Sequence, residues 1–479
     1  MEKIFFLFSN SFLNNRYHFI TMNVTPITGT CYTVHEAKTM TITPQNVHKT
    51  LSKYMLADGF DLVLDLKKSK GCRIYDSKND TYLLDGFSFF ASAPLGCNHP
   101  KLTTPEMIKK FGEVAVNNPT NSDLYTVEMA EFVDSFSTHA VPKEFSHLFF
   151  ISGGTLAVEN ALKTAFDWKV RKNIQKGLSD SLGTQIIHFK GAFHGRSGYT
   201  LSLTNTFSQD KTKHFTQFKW PRILNPKVTF PLNDENLTKV KELEKQAVSE
   251  IEQAVANNAD DIAGLIIEPI QGEGGDNHFR KEFFVHLRKL CDDYDMMMIL
   301  DEVQTGLGLT GKMWAYEHFG IVPDILAFGK KAQVCGIMVG DRVDEVKDNV
   351  FHVSSRINST WGGNLIDMVR CQKYLEIIAE ERLVENAKIQ GERLLKGLKE
   401  ISLKYPDAVC NARGKGLMCA FDLSTAAMRD KFRKLAYHHK LVVLGCGEKT
   451  IRFRPPLLIS SDEIDEMLCI VENAVKNVN

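Results

Sequence analysis

Five short runs that read as strands constrain this chain more than anything else in it. They lie at 147–151, 185–188, 262–267, 296–300 and 325–328, and none alternates polar with apolar residues. A strand without alternation has both faces buried. Helix-length stretches separate the runs. One follows Gly153-Gly154 with apolar positions at Val158, Ala161, Leu162, Ala165 and Phe166; others lie near 236–256, 283–291 and 313–318. Strand, helix, strand in repetition predicts a parallel sheet covered on both sides, an α/β fold.

The pattern changes on either side. Residues 71–100 are turn-rich with two short strand-like runs, and from about Val346 long helical text (368–405) precedes short strands at 417–423, 441–444 and 451–453 and a closing helix at 461–475. The organisation expected is an extension over 1–39, poorly ordered, a segment over 40–100 packing with the small domain, a large domain over 101–345 and a small α+β domain over 346–479. Such a division suits 479 residues, too many for one simple core.

Lys plus Arg and Asp plus Glu balance at 58 each, which argues against a nucleic-acid footprint or an anionic membrane partner. The apolar run at 4–8 is too short to span a bilayer. Ten cysteines show no pairing rhythm and no Cys-x-x-Cys, so no metal site and a cytoplasmic, reducing setting are expected.

Ligands of open parallel sheets sit beyond the carboxyl ends of the strands. There this chain places Glu268 to Gly275, Asp301 to Gly306, and Gly329-Lys330-Lys331. A lysine at the end of an apolar strand loses charge on burial and becomes a nucleophile towards aldehydes. An aspartate on the next strand can keep a pyridinium nitrogen protonated, and Gly153-Gly154-Thr155 at a helix start can hold a phosphate. Together these describe pyridoxal phosphate. A competing signal is Gly306-Leu307-Gly308-Leu309-Thr310-Gly311 with Asp324 beyond it, which matches a nicotinamide-dinucleotide fingerprint. Five residues separate it from the preceding strand, however, and Asp324 precedes the next strand instead of ending it.

Glu268-Pro-Ile-Gln-Gly-Glu-Gly-Gly275, Asp301-Glu-Val-Gln-Thr-Gly306, Phe328-Gly-Lys330 and Arg452-Phe-Arg-Pro-Pro-Leu457 occur in the order that resembles the class III, or ornithine-type, aminotransferases. Within that class the stretches 153–173, 191–205, 328–336, 355–364 and 413–421 are most similar to the lysine 6-aminotransferase group. The resemblance implies a fold-type-I transferase and a homodimer with shared active sites. It puts the Schiff base on Lys330, Asp301 at the pyridine nitrogen, Gln304 at the ring hydroxyl and Phe193 on the ring face. Gly154 and Thr155 would take the phosphate, with Asn358 and Thr360 from the partner subunit. His194 lies beside the ring without an assigned role.

It also implies L-lysine, reacting through its ε-amine, and 2-oxoglutarate as substrates. Arg196 would hold the distal carboxylate of either. Arg452 would hold the near carboxylate of 2-oxoglutarate, and Glu273 would neutralise Arg452 when lysine is bound. Arg454, two residues on, reads slightly better as a structural charge. The alternatives are another ω-amine donor (ornithine, 4-aminobutyrate), a nicotinamide-dependent oxidoreductase, and an inactive relative.

Overall fold

The computed structural model describes residues 41–206, 208–258 and 260–478, so the 1–39 extension lies outside the described residues. Residues 41–58 belong to one unit, in which a 3-10 turn, Pro44–Asn46, runs into the short helix Val47–Leu51. The second unit runs from Gly59 onwards.

It opens with a hairpin of β1 (Arg73–Asp76) and β2 (Thr81–Asp85). The central sheet follows: β3 (Phe145–Ile151), β4 (Gln185–Phe189), β5 (Arg222–Ile223), β6 (Ile262–Ile267), β7 (Met297–Asp301), β8 (Ile325–Phe328) and β9 (Cys335–Gly340). Their order in space is β3-β9-β8-β7-β6-β4-β5. The run from β8 to β5 is parallel throughout. β9 is the exception, antiparallel to both β8 and β3. The sequence pattern missed β9. Only a short loop joins it to β8, too short for a crossover, so it must return antiparallel.

Side chains alternate between two buried faces, as the unbroken apolar text requires. Ala263, Ile266, Met297, Ile299, Ile325 and Ala327 pack with Val158, Ala161, Leu162 and Trp168 of the helix Gly154–Gln175. Leu265, Ile267, Met298, Leu300, Leu326 and Phe328 pack on the other side with Phe283, Leu287 and Cys291 of the helix Lys281–Asp293.

The last third builds an antiparallel sheet from β10 (Val409–Lys415), β11 (Met418–Leu423), β13 (Leu444–Cys446) and β14 (Thr450–Phe453), ordered β10-β11-β14-β13. Between them, β12 (Leu441–Val442) pairs in parallel with β2. The helical text at 368–405 is two helices, Leu365–Glu380 and Leu383–Lys404, broken where Arg382 turns left-handed at φ 53°. The helix Ala426–His438 escapes the periodicity because only Phe432 and Ala436 of it are buried. The helix expected at 313–318 is a four-residue 3-10 turn, Ala315–His318. No long helix therefore follows Gly306–Gly311, and that glycine loop has no helix N-terminus to offer a dinucleotide.

Among the described residues no helix is long and apolar enough to cross a membrane, and the nine cysteines are all free.

Candidate active site

β6, β7 and β8 are neighbours, so the residues that end them meet on one rim. Glu268 follows β6, Asp301 ends β7 and Lys330 follows β8. They line a cleft of about 470 Å³ that also takes in Gly154, Thr155, Phe193, Arg196, Glu273 and Gln304.

The two neighbouring lysines go opposite ways. Lys330 faces the cleft in the left-handed region, at φ 50°. A non-glycine there costs roughly 1–2 kcal/mol, and such strain gathers at functional sites. Burial, then the charge of Arg452, bring the Lys330 amine down to about 8. Lys331 points into the protein. Its Nζ donates to the carbonyls of Gln304 (2.6 Å) and Ala91 (3.3 Å).

Asp301 is a buried carboxylate with a partner. His194 Nδ1–H donates to its Oδ2 at 2.8 Å, and Val303 N–H to its Oδ1 at 3.1 Å. His194 Nε2 is buried without a hydrogen-bond partner among the described residues. Glu268 accepts the backbone N–H groups of Phe193 and Gly272, each at 3.0 Å, and burial pushes its carboxyl up to about 7. Sequence reasoning gave neither Glu268 nor His194 a role. The signal was present for Glu268, an acid at a strand end beside Asp301. For His194 only its place next to Phe193 pointed there.

The phosphate side is built at the start of the helix Gly154–Gln175. Gly153 precedes it at φ 104°, which an L side chain resists, and a Cβ on Gly154 would lie 2.9 Å from Val303. The first turn of a helix has unpaired N–H groups aimed outwards. Thr155 Oγ1 shares a hydrogen bond with Thr200 Oγ1 at 2.8 Å, and Ser197 Oγ donates to Glu159 at 2.7 Å beside it. Those contacts fix the hydroxyl at the mouth of the cup.

Two arginines stand at the substrate side. Arg196 is exposed, its guanidinium 5.8 Å from the Phe193 ring, with no acceptor among the described residues. Arg452 is buried, 4% exposed, and donates through one nitrogen to Glu273 at 2.9 Å. Its Nε and second terminal nitrogen have no partner among the described residues. Glu273 is 35% exposed, so it can leave. Arg454 is saturated instead, by Asp276 (2.5 Å), the Phe453 carbonyl (2.7 Å) and Gln304 Oε1 (3.1 Å). With its oxygen taken, the Gln304 amide has its NH₂ left to donate into the cleft.

Asn358 and Thr360 do not join this cleft. They are exposed on a loop that docks on Asn121 and Ser122, where Asn121 N–H meets the Trp361 carbonyl at 3.2 Å. Apart from the cleft, His147, Asp344 and His352 are close enough to hold a cation, but His147 Nε2 already pairs with Asp344 at 2.8 Å.

Pyridoxal phosphate needs an amine, a carboxylate for its ring nitrogen, an aromatic face and phosphate donors. Lys330, Asp301, Phe193 and the Gly154–Thr155 turn supply one of each around a single cleft, so the residues present fit the group.

Comparison with known proteins agrees. The family described as aminotransferase class-III matches residues 55–475. The L-lysine-epsilon aminotransferase of Mycobacterium tuberculosis is 50% identical over 434 residues, 90% of this chain and 96% of that one. That of Streptomyces clavuligerus is 46% identical over 91% and 95%. The human mitochondrial 4-aminobutyrate aminotransferase is 32% identical over 86% and 85%. The solved lysine aminotransferase of M. tuberculosis superposes with a TM-score of 0.89 at 49% identity, covering 91% of this chain and all of that one. A Virgibacillus transaminase, 21% identical with a TM-score of 0.78, shares the fold. The chain thus belongs to the class III aminotransferases, fold-type-I enzymes that work with pyridoxal phosphate.

Proposed function

We propose that this enzyme moves the ε-amino group of L-lysine to 2-oxoglutarate in a ping-pong cycle, giving 2-aminoadipate 6-semialdehyde and L-glutamate. The observation that carries the reading is the Arg452–Glu273 pair: a buried guanidinium with two unmet donors, neutralised by one half-exposed carboxylate. Lysine brings one carboxylate, far from its reacting nitrogen, whereas 2-oxoglutarate brings one near and one far. Arg196 at the mouth suits the far carboxylate of both. Arg452 suits the near carboxylate, and Glu273 covers it when lysine is bound. The relatives named for lysine at 46–50% identity support the same donor.

Bound in the cleft, the cofactor supplies an electron sink for the carbon that carries the amine. Lys330 then moves the proton at that carbon, a task suited to an amine near pH 8. Asp301, held by His194, would present its carboxylate to the ring nitrogen. Gln304 would offer its NH₂ to the ring hydroxyl, Phe193 would cover the ring face, and Gly154 with Thr155 would receive the phosphate. Asn358 and Thr360 complete that cup from the partner subunit of a homodimer. The nine described cysteines, all free, support a cytoplasmic setting.

A donor profile tests the substrate. With 2-oxoglutarate as acceptor, lysine should exceed ornithine and 4-aminobutyrate in kcat/KM. A higher value for either rival sinks lysine as the donor. Glu273→Ala tests the gate: the lysine half-reaction should slow more than the glutamate half-reaction in single turnovers, and equal losses would remove the gate.

A further inference from the structure

Ser88, Phe89, Phe90 and Ala91 form four consecutive non-glycine residues in the left-handed region, at φ 40°, 52°, 60° and 63°. L-residues resist that conformation, so a whole turn of it persists only where its surroundings hold it. Asp85 Oδ1 accepts the N–H groups of Phe87 (2.9 Å) and Ser88 (2.7 Å). Ser88 Oγ donates to the Arg454 carbonyl at 2.6 Å. Gln333 Nε2 donates to the Ser92 carbonyl at 2.7 Å. The fourth tie is Lys331, which joins the Ala91 carbonyl to that of Gln304.

Lys331 is 2% exposed and has no carboxylate partner among the described residues. Burial, then the charge of Lys330, push its amine well below its usual value. A neutral amine has two N–H donors, and the two carbonyls it meets account for both. The turn it holds carries Phe90, half exposed, with its ring 6.0 Å from the Arg452 guanidinium. The other carbonyl belongs to Gln304, whose side chain faces the cleft.

We propose that Lys331 is a positioning residue, a tether that sets the Ser88–Ala91 turn beside Arg452 and the Gln304 loop at the cleft with one side chain. The assignment rests on the reading of this cleft as the site of cofactor and 2-oxoglutarate. It explains why two lysines stand together: one works in the cleft, and the other fixes the wall next to it without adding a second charge.

The test is Lys331→Met in the holoenzyme, which keeps the unbranched chain to within one atom and removes both donors. KM for 2-oxoglutarate should rise about tenfold while kcat changes less than about threefold. The pH midpoint of the cofactor's visible band should stay within about 0.3 of wild type, because no charge is lost. Lys331→Arg, which forces a permanent cation beside Lys330, should lower that midpoint. An unchanged KM in Lys331→Met overturns the tether, and a raised midpoint overturns its neutrality. Ser88→Ala cuts another tie of the same turn and should raise KM in the same sense by less. If Lys331→Met does not fold, an unchanged KM in Ser88→Ala overturns the proposal. Retention of the pH-sensitive visible band by Lys330→Ala would instead mean that the reading of the cleft itself had failed.

Discussion

The rim of the large sheet and the last strand of the small sheet each hold two basic side chains close together in sequence, and each pair divides its work the same way. Beyond β8, Lys331 spends its donors on two carbonyls, whereas Lys330 has no hydrogen-bond acceptor among the described residues. On and after β14, Arg454 is saturated by Asp276, Gln304 and a carbonyl, whereas Arg452 keeps two donors unmet. A buried donor without a partner costs about 1–3 kcal/mol, more when charged. A fold that leaves such groups open in one cleft while closing their neighbours has reserved them for a ligand. The saturated member of each pair builds the frame, and the open member does the work.

The largest effect expected from this division separates the lysines. Lys330→Ala should cost about 10⁴-fold or more in transfer rate and abolish the pH-sensitive visible band of the lysine-bound cofactor, since both covalent anchor and proton carrier are lost. Lys331→Ala should keep the band. Absorbance spectra of the two purified variants decide it, and loss of the band in Lys331→Ala alone would reverse the assignment.

Next come the arginines. Arg454→Met strands Asp276, 1% exposed, without its partner. Breaking a buried pair from one side costs roughly 3–5 kcal/mol, so urea unfolding should shift by that much. In Arg452→Met the partner Glu273, 35% exposed, rehydrates, and the stability loss should stay under about 1 kcal/mol. Its damage should fall on 2-oxoglutarate, with KM raised about a hundredfold. If both variants lose equal stability, the contrast between frame and working residue fails on β14.

How much of this was legible beforehand follows from the same contrast. The parallel strands other than the two-residue β5, half exposed, were readable because strands buried on both faces write continuous apolar text, and their ends pointed to Asp301 and Lys330. β9 was not, since nothing in Cys335–Gly340 marks a strand that returns antiparallel. Arg452 and Arg454 look alike in sequence; only the position of Asp276, folded back from the loop after β6, separates them. The left-handed turn at Ser88–Ala91 has no glycine to announce it, because its conformation is imposed by contacts from distant parts of the chain.

The smallest effect concerns a third region that is open in one chain but lies outside its cleft. Asn358 and Thr360 are exposed on the loop held by Asn121 and Ser122. If open groups mark ligand positions, these belong to a site completed by another copy, and in a two-fold dimer each subunit lends the loop it borrows. Take Lys330→Ala and Thr360→Glu, the latter placing a carboxylate where it should repel the phosphate. Each alone should be inactive. Unfolded and refolded together in equal amounts, half the dimers should be mixed under random pairing. A mixed dimer has one site with both defects and one with neither, so activity should return to about a quarter of wild type. If each site belongs to one chain, every site keeps a defect and nothing returns. Differently tagged subunits that co-purify show that mixed dimers formed. With that control met, no recovery would leave Asn358 and Thr360 as ordinary surface residues and confine the contrast between open and saturated groups to the cleft of a single chain.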